Sequence, residues 1–125
     1  MDRLNRRVFV YGTLMQGQRA NHMLVGARFA GKAQLKDHVM YHLGRYPGIV
    51  PCPGETVFGE LYYVSSEMLS KMDAYEEEGS LYLRRTVQVQ GKDGICEAQA
   101  YIYNRDVTGC KLLRCAWGDR EENHV

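Results

Sequence analysis

The shortage of helical sequence constrains the fold of this chain most. Glu67 to about Glu78 places apolar residues three and four apart over three turns, and Gln18 to Gly26 suits a helix of two turns or fewer closed by glycine. Most of the remaining sequence alternates as strands do, and parallel strands need more crossovers than two helices supply. The pattern therefore predicts an α+β protein, with a small mixed or antiparallel, barrel-like sheet and flanking helices.

Runs of β-branched and aromatic residues bounded by turn residues indicate the strands. The clearest pair is a β-hairpin, because Gly91 to Gly94 separates two alternating runs with suitable turn chemistry. All three prolines fall between Arg45 and Gly54, which predicts an irregular loop of restrained conformation. The predicted strands are a buried first strand at Val8–Val10, one long bent strand or two kinked strands over Arg28–Leu43, and Thr56–Val64, Leu81–Gln90 and Ile95–Asn104.

Length and charge limit the classes of function. We expect one domain over residues 1–125, with packing for the segment from Cys110 to Trp117 and disorder for Asp119–Val125. Sixteen Lys and Arg against fifteen Asp and Glu give a net charge of +1, which argues against nucleic acid or an anionic membrane as a partner. Apolar runs stay far below the roughly 20 residues of a membrane span, so we expect a cytoplasmic protein.

Cysteine and histidine spacing does not favour a metal site. The close pair Cys110 and Cys115 is not a C-x-x-C motif and has only His124 nearby. His38 and His42 would share a face of a strand but lie too far apart to chelate one ion easily, so each is expected to be solvated or hydrogen-bonded. We expect no metal and no cofactor, and thiols that are reduced and mostly packed.

A small-residue turn follows the first strand at Gly12. Because glycine has no Cβ, the backbone amides around it are approachable by a ligand, and amides exposed in this way can bind an anion. The alternative is a central strand followed by an ordinary turn.

An acidic residue lies on the apolar side of the predicted helix. Glu76 is four residues beyond Met72 on the apolar stripe, so its carboxylate should lean toward the core at the last turn. Glu77 and Glu78 rotate toward solvent, and Gly79 is expected to close the helix as the C′ residue. The alternative for an acid in this run is a solvated helix end.

These two features limit the possible chemistry. The sequence has no nucleophile elbow, Walker loop, zinc-protease motif or dinucleotide fingerprint. Free amides and one acid suffice only where the substrate supplies its own nucleophile, as in an intramolecular acyl transfer.

Five short blocks, in this order, resemble the signature series of the γ-glutamylcyclotransferase-like family, which includes γ-glutamylamine cyclotransferases and AIG2-like proteins. Any one block is weak, but five in order at compatible distances are specific. The blocks are Val10–Leu14, Tyr46–Val50, Val57–Tyr62, Met72–Glu76 and Tyr82–Arg84.

The resemblance implies a barrel-like mixed sheet, a small γ-glutamyl substrate and release of 5-oxoproline. It also implies one catalytic glutamate. Relatives usually have a single Glu followed directly by Gly, so alignment on Gly79 would nominate Glu78 as that residue. The apolar stripe and a spacing of six to Tyr82 favour Glu76. The substrate-binding residues expected with catalytic Glu76 are Tyr11, Gly12, Thr13, Leu14, Pro47 and Tyr82.

Several roles stay open at this point. Arg84 could pair with a substrate carboxylate, but a solvated charge or a structural partner of Glu60 or Asp73 is the more common role for such a residue. The same cavity could bind a metabolite without turning it over. A third hypothesis is an enzyme that uses the Cys52 thiol, although no basic residue adjoins Cys52 in sequence. The sequence favours no particular γ-glutamyl compound and no oligomeric state.

Overall fold

The fold is a six-stranded mixed sheet with one α-helix and a short 3₁₀ helix beside it. It is described for residues 3–113 by a computed structural model. The chain follows the predicted order of strand, short helix, strands, helix and hairpin. The elements are β1 Arg6–Val10, the 3₁₀ helix Asn21–Leu24, β2 Arg28–His42, β3 Pro47–Val64, α1 Ser66–Tyr75, β4 Tyr82–Gly91, β5 Gly94–Tyr103 and β6 Lys111–Leu113.

The sheet curves back on itself. Its strand order is β3-β1-β5-β4-β2-β6, and β2 also pairs with β3, which brings distant strands of that order together. β1 and β5 run parallel, and the other pairs are antiparallel. β2 meets β4 through the single pair Gln34 and Gln90, so the closure is partial and no regular barrel forms. The predicted α+β fold with a mixed sheet and flanking helices is confirmed.

β1 is the strand around which the core packs. It lies between β3 and β5, and Val8 and Phe9 have no exposed surface. A strand covered on both faces needs apolar residues at consecutive positions, which explains why Val8 to Val10 is a continuous apolar run. Met72 of α1 is also fully buried, so the apolar stripe of the helix packs against the same core.

The proline-rich segment is a strand, and the prediction of an irregular loop there was wrong. β3 begins at Pro47, and Pro51 is paired with His38 of β2. β1 covers only Glu60–Val64 of β3, so among residues 3–113 the first part of the strand has a partner on one side alone. Prolines are tolerated on such an edge, because an N–H directed away from the ladder is not needed.

Other predicted elements are confirmed with small changes. The segment predicted as one bent strand or two forms the single strand Arg28–His42 with two register shifts. The expected hairpin has only Lys92 and Asp93 in its turn, because Gly91 pairs with Gly94. Ser65 caps α1 by accepting a hydrogen bond from the Met68 N–H at 3.1 Å. The imidazoles of His38 and His42 each bond to nearby backbone, as expected.

The end of the chain packs on β2 as far as the structure describes it. β6 pairs with β2, and Leu113 is buried. Trp117 and the predicted disordered segment Asp119–Val125 lie outside the described residues. Neither helix within residues 3–113 has the length and apolar character needed to cross a membrane.

Replacement of Gly59 by alanine is expected to destabilise the fold. A Cβ at this position would clash with the Val10 carbonyl oxygen and lie 2.8 Å from Cζ of Phe9. Such overpacking costs about 1–3 kcal/mol. We expect the free energy of unfolding, measured with urea, to fall by about 2 kcal/mol in Gly59→Ala. Gly91→Ala is the matched control, because its added Cβ meets its nearest atoms at 3.7 Å. Equal stabilities of the two variants would show that the close approach of β3 to β1 does not exclude a side chain at position 59.

Candidate functional site

A cavity opens where β1 ends and the glycine turn begins. The strand supplies Phe9 and Val10 to its wall, the β2–β3 turn supplies Tyr46, and β5 supplies Tyr101. The structure brings all seven sequence-predicted site residues to this one cavity. They are Glu76, Tyr11, Gly12, Thr13, Leu14, Pro47 and Tyr82.

The cavity is narrow in this conformation. The centre of a water-sized molecule can occupy about 20 Å³ of it. One bound water needs about 10–15 Å³ by the same measure, so the space holds a water rather than an amino acid. Gly12 contributes to this tightness, since a Cβ there would lie 2.6 Å from Cγ of Pro47. The absence of a side chain at Gly12 therefore permits the close approach of the turn to Pro47.

The residues of the glycine turn line the cavity, and their backbone groups are paired unevenly. The Gly12 carbonyl accepts from the Met15 N–H at 3.0 Å, and the Thr13 carbonyl accepts from the Ala20 N–H at 2.9 Å. Within the described part of the chain, the N–H groups of Gly12, Thr13 and Leu14 donate to no protein acceptor. Buried N–H groups are nearly always paired, so three free ones in succession are typical of an anion-binding site.

The end of α1 differs from the prediction. The helix ends at Tyr75 with Glu76 as the C-cap, not near Glu78. The Glu77 N–H donates to the Ala74 carbonyl and the Glu78 N–H to the Asp73 carbonyl, the two bonds of a Schellman motif. Glu77, with φ +53°, is therefore the C′ residue, and the prediction of Gly79 for that position was wrong.

This ending distinguishes Glu76 from Glu78. Glu77 has the left-handed conformation that glycine favours, so Glu76 is the glutamate directly before the glycine-like position. Glu76 is partly buried and lines the cavity. Glu78 is exposed, and its Oε2 accepts from the Arg84 backbone N–H at 3.2 Å. The acid that faces the glycine turn is Glu76.

The Glu76 carboxyl is poised for proton transfer at neutral pH. Burial disfavours its charged form and raises its pKa from 4.5 to about 7. Burial also raises the pKa of Tyr11, Tyr82 and Tyr101, and the negative charge of Glu76 adds to each rise. These phenols stay protonated at neutral pH, whereas the carboxyl exists in both forms.

The hydroxyl groups of two wall tyrosines are already occupied. Tyr11 donates to the Tyr101 carbonyl, and Tyr82 donates to the Pro47 carbonyl, both at 2.6 Å. The Tyr82 ring also packs edge-on against Tyr103 at 5.5 Å. In this conformation Tyr82 contributes a wall, and its proton holds the segment that carries Pro47.

Tyr101 is the main residue that sequence reasoning missed. It is 2% exposed, lines the cavity and donates from its hydroxyl to Oδ1 of Asp73 at 2.6 Å. The sequence signal was its place in the alternating pattern of β5, but that pattern fits any core tyrosine equally well. Its contact with Asp73 depends on how the helix docks on the sheet.

Two other candidate residues lie outside the cavity wall. Cys52 is on β3 and does not line the cavity, which gives the thiol-enzyme reading no support. Arg84 lies with its Nε 2.9 Å from Oδ1 of Asp73, so of the roles that the sequence left open for it the structure shows the pairing with Asp73. Among residues 3–113, no three His, Cys, Asp or Glu side chains are grouped to hold a metal ion.

Comparison with known proteins places this geometry in a family. The family model described as gamma-glutamyl cyclotransferase, AIG2-like, matches residues 8–119. The gamma-glutamylcyclotransferase family protein YtfP of Escherichia coli K12 is 36% identical over 117 residues, 93% of this chain and 99% of the relative. Gamma-glutamylaminecyclotransferase A of Danio rerio is 35% identical over 108 residues, 78% of this chain and 67% of the relative.

Solved structures show the same fold. An AIG2-like protein from Mus musculus has a TM-score of 0.73 and 25% identity, with 87% of this chain and 86% of that chain covered. The solution structure of ytfP from Escherichia coli has a TM-score of 0.69 and 36% identity, with 92% and 98% covered.

Replacement of Glu76 by glutamine is expected to change how stability depends on pH. With a pKa of 4.5 unfolded and about 7 folded, the folded protein holds a proton that the unfolded chain loses. The free energy of unfolding therefore falls as the pH rises from about 4.5 to about 7 and then levels off. Urea titrations should show Glu76→Gln to be more stable than the parent by about 1–3 kcal/mol at pH 8, with little difference at pH 4.5. Glu78→Gln is the control, and a Glu76→Gln difference that does not vary with pH would contradict the burial of this carboxyl.

Proposed function

Because the chain belongs to the gamma-glutamyl cyclotransferase, AIG2-like family, we propose that it is an enzyme that closes a γ-glutamyl group into 5-oxoproline and releases the amine attached to it. The observation that carries the proposal is the position of Glu76. Its carboxyl, with a pKa of about 7, lines the same cavity as the unpaired N–H groups of Gly12, Thr13 and Leu14.

The reaction needs no nucleophile from the protein. The α-amine of the substrate attacks its own γ-carbonyl, a C–N bond forms, and the C–N bond to the leaving amine breaks. Glu76 takes the proton from the attacking nitrogen and returns one to the departing nitrogen, so protons balance over the cycle. Holding the two groups in contact recovers part of an effective molarity that reaches about 10⁵ M or more for well-oriented reactants.

The glycine turn supplies the anion site of the proposal. The substrate has an α-carboxylate, and an oxyanion develops on the γ-carbonyl during attack. The N–H groups of Gly12, Thr13 and Leu14 are suited to bind either of these negative groups. None of the described residues that line the cavity is a lysine, arginine or histidine, which leaves backbone amides as the main counterpart for negative charge.

A binding protein without turnover would have less use for this site. A carboxyl held away from water costs free energy, and here burial raises its pKa into the range of a neutral acid–base catalyst. A pure binding site for an ammonium group would be served better by a carboxyl that stays ionised. The raised pKa that burial gives Glu76 therefore favours turnover over binding alone.

The proposed activity predicts a specific pattern among variants. Purified protein should release 5-oxoproline from at least one member of a panel that includes γ-glutamyl-ε-lysine, γ-glutamyl amino acids and a neutral γ-glutamyl alkylamide. Glu76→Gln should lose at least about 100-fold in kcat/KM, because general acid–base catalysis contributes about 10²–10⁴-fold. Glu78→Gln is the matched control and should keep most of the activity.

The pH profile is a second part of this test. The rising limb of kcat/KM should have a midpoint near pH 7, because the carboxylate form of Glu76 is the one that accepts the proton. Full activity in Glu76→Gln, or recovery of intact ligand after prolonged incubation with every compound, would overturn the proposal.

A further inference from the structure

Three side chains from different elements meet beside the cavity, and one of them, Tyr101, lines its wall. Asp73 lies three residues before Glu76 in α1, and its Oδ1 is 2.6 Å from the Tyr101 hydroxyl of β5 and 2.9 Å from Nε of Arg84 in β4. Arg84 and Tyr101 are directly paired across these two strands. One carboxylate oxygen thus joins the end of the helix to both strands of the hairpin.

We infer that Asp73 and Arg84 are positioning residues for Glu76: together they hold the end of α1 on the hairpin, and the charge of each balances that of the other beside the cavity. The inference rests on the proposed function in treating Glu76 as the proton-transfer group. The contacts and charges that support it do not depend on the reaction.

The first support is a hydrogen-bonded connection from the helix to the glycine turn. Asp73 accepts from the Tyr101 hydroxyl, and the Tyr101 carbonyl accepts from the Tyr11 hydroxyl at 2.6 Å. Tyr11 directly precedes Gly12. The element that carries the acid and the turn that carries the free amides are therefore tied to the same residue of β5.

Arg84 also holds the chain just after Glu76, through Glu78. The Arg84 backbone N–H donates to Oε2 of Glu78, and the Glu78 N–H donates to the Asp73 carbonyl at 2.9 Å. The Arg84 side chain donates from Nη1 to Oε1 of Gln99 at 3.0 Å. Glu76 is thus held from both sides, by Asp73 before it and by Glu78 after it.

The third support is the nature of the contact between Asp73 and Arg84. The Arg84 Nε is buried and close to the carboxylate, but its N–H does not point at an acceptor with hydrogen-bonding geometry. The interaction between Asp73 and Arg84 is therefore mainly the electrostatic attraction of opposite charges. The negative charge of Asp73 raises the pKa of Tyr101, and the positive charge of Arg84 lowers it. The negative charge of Glu76 also raises the pKa of Tyr101.

The titratable groups that line the cavity with Glu76 are tyrosines, so the titration of Glu76 can be measured without overlap from them. Tyr11 follows the end of β1, β4 and β5 supply Tyr82 and Tyr101, and the β2–β3 turn supplies Tyr46. Phenols ordinarily titrate near pH 10. Of the residues lining the cavity, Glu76 alone has a side chain that ordinarily titrates below pH 9. A change of nearby charge should therefore appear as a shift in one titration.

The test uses two changes that each remove one charge, with opposite electrostatic consequences. Arg84→Gln leaves the Asp73 charge unbalanced, which disfavours a second negative charge and should move the Glu76 titration to higher pH. Asp73→Asn keeps an oxygen that can accept from Tyr101 but leaves the Arg84 charge unbalanced, which should move the titration to lower pH. Each shift should be about 0.5 to 1 pH unit, and the double variant should return close to the parent midpoint.

The titration is measured in two ways. The first is the pH dependence of the stability difference between each variant and the same variant with Glu76→Gln, which requires no activity. The second is the rising limb of the kcat/KM profile. Opposite shifts in the stability data together with absence of turnover would support this inference and overturn the proposed function alone.

A merely structural role predicts a different result. Loss of packing would lower stability in both variants without opposite shifts, and Arg84→Lys would then behave like Arg84→Gln. If the charge balance matters, Arg84→Lys should restore the midpoint even where kcat stays below that of the parent. Shifts in the same direction, or midpoints within about 0.2 pH unit of the parent in all variants, would overturn the inference. If Arg84→Gln does not fold, Asp73→Asn and Arg84→Lys still decide the question.

Discussion

The burial of one carboxyl group is the constraint on which the rest of this site depends. Glu76 is the C-cap of α1 and is surrounded by the tyrosines that line the cavity, where burial raises its pKa to about 7. A carboxyl in solution titrates near pH 4.3 and is a weak base at neutral pH. Burial costs stability, and it also gives this group a pKa matched to proton transfer under physiological conditions.

Several costly features are concentrated at the same end of the sheet. Glu77 adopts a left-handed backbone conformation without being glycine, three N–H groups of the glycine turn lack protein acceptors within the described residues, and the Glu76 carboxyl is partly shielded from water. Each costs free energy, of order 1–3 kcal/mol for strain or for a lost hydrogen bond. Such features persist where the surrounding packing determines the conformation, and the fully buried core around β1 provides that packing here. Their concentration at one cavity supports the choice of this cavity as the candidate site.

Local patterns in the sequence were enough to predict most of the strands, the hairpin and the inward side of the helix, because each depends on a short period or on turn chemistry. The short strand β6 was not predicted. The apolar stripe identified Glu76, and the small-residue turn identified Gly12. The strand at Pro47 could not be predicted in this way, since prolines are tolerated there only because the first part of β3 has a partner on one side. The role of Tyr101 was equally hidden, because its contacts with Asp73 and Tyr11 join residues 28 and 90 positions apart.

The strand at Pro47 also changes how the cavity must work. A flexible loop at this position could move aside freely, whereas β3 holds Pro47 in register with His42, and the Tyr82 hydroxyl holds its carbonyl at 2.6 Å. The wall is therefore firm, and only about 20 Å³ is open to a water-sized molecule. For the proposed function, a γ-glutamyl substrate would have to separate Pro47 from the glycine turn, and the Pro47 atoms that a Cβ at Gly12 would meet, Cγ and Cδ, are apolar. Separating an apolar contact exposes little polar surface, whereas displacing the Tyr82 hydrogen bond would free a donor close to the glycine turn. Binding that displaces this bond would convert Tyr82 from a part of the wall into a hydrogen-bond donor for the substrate.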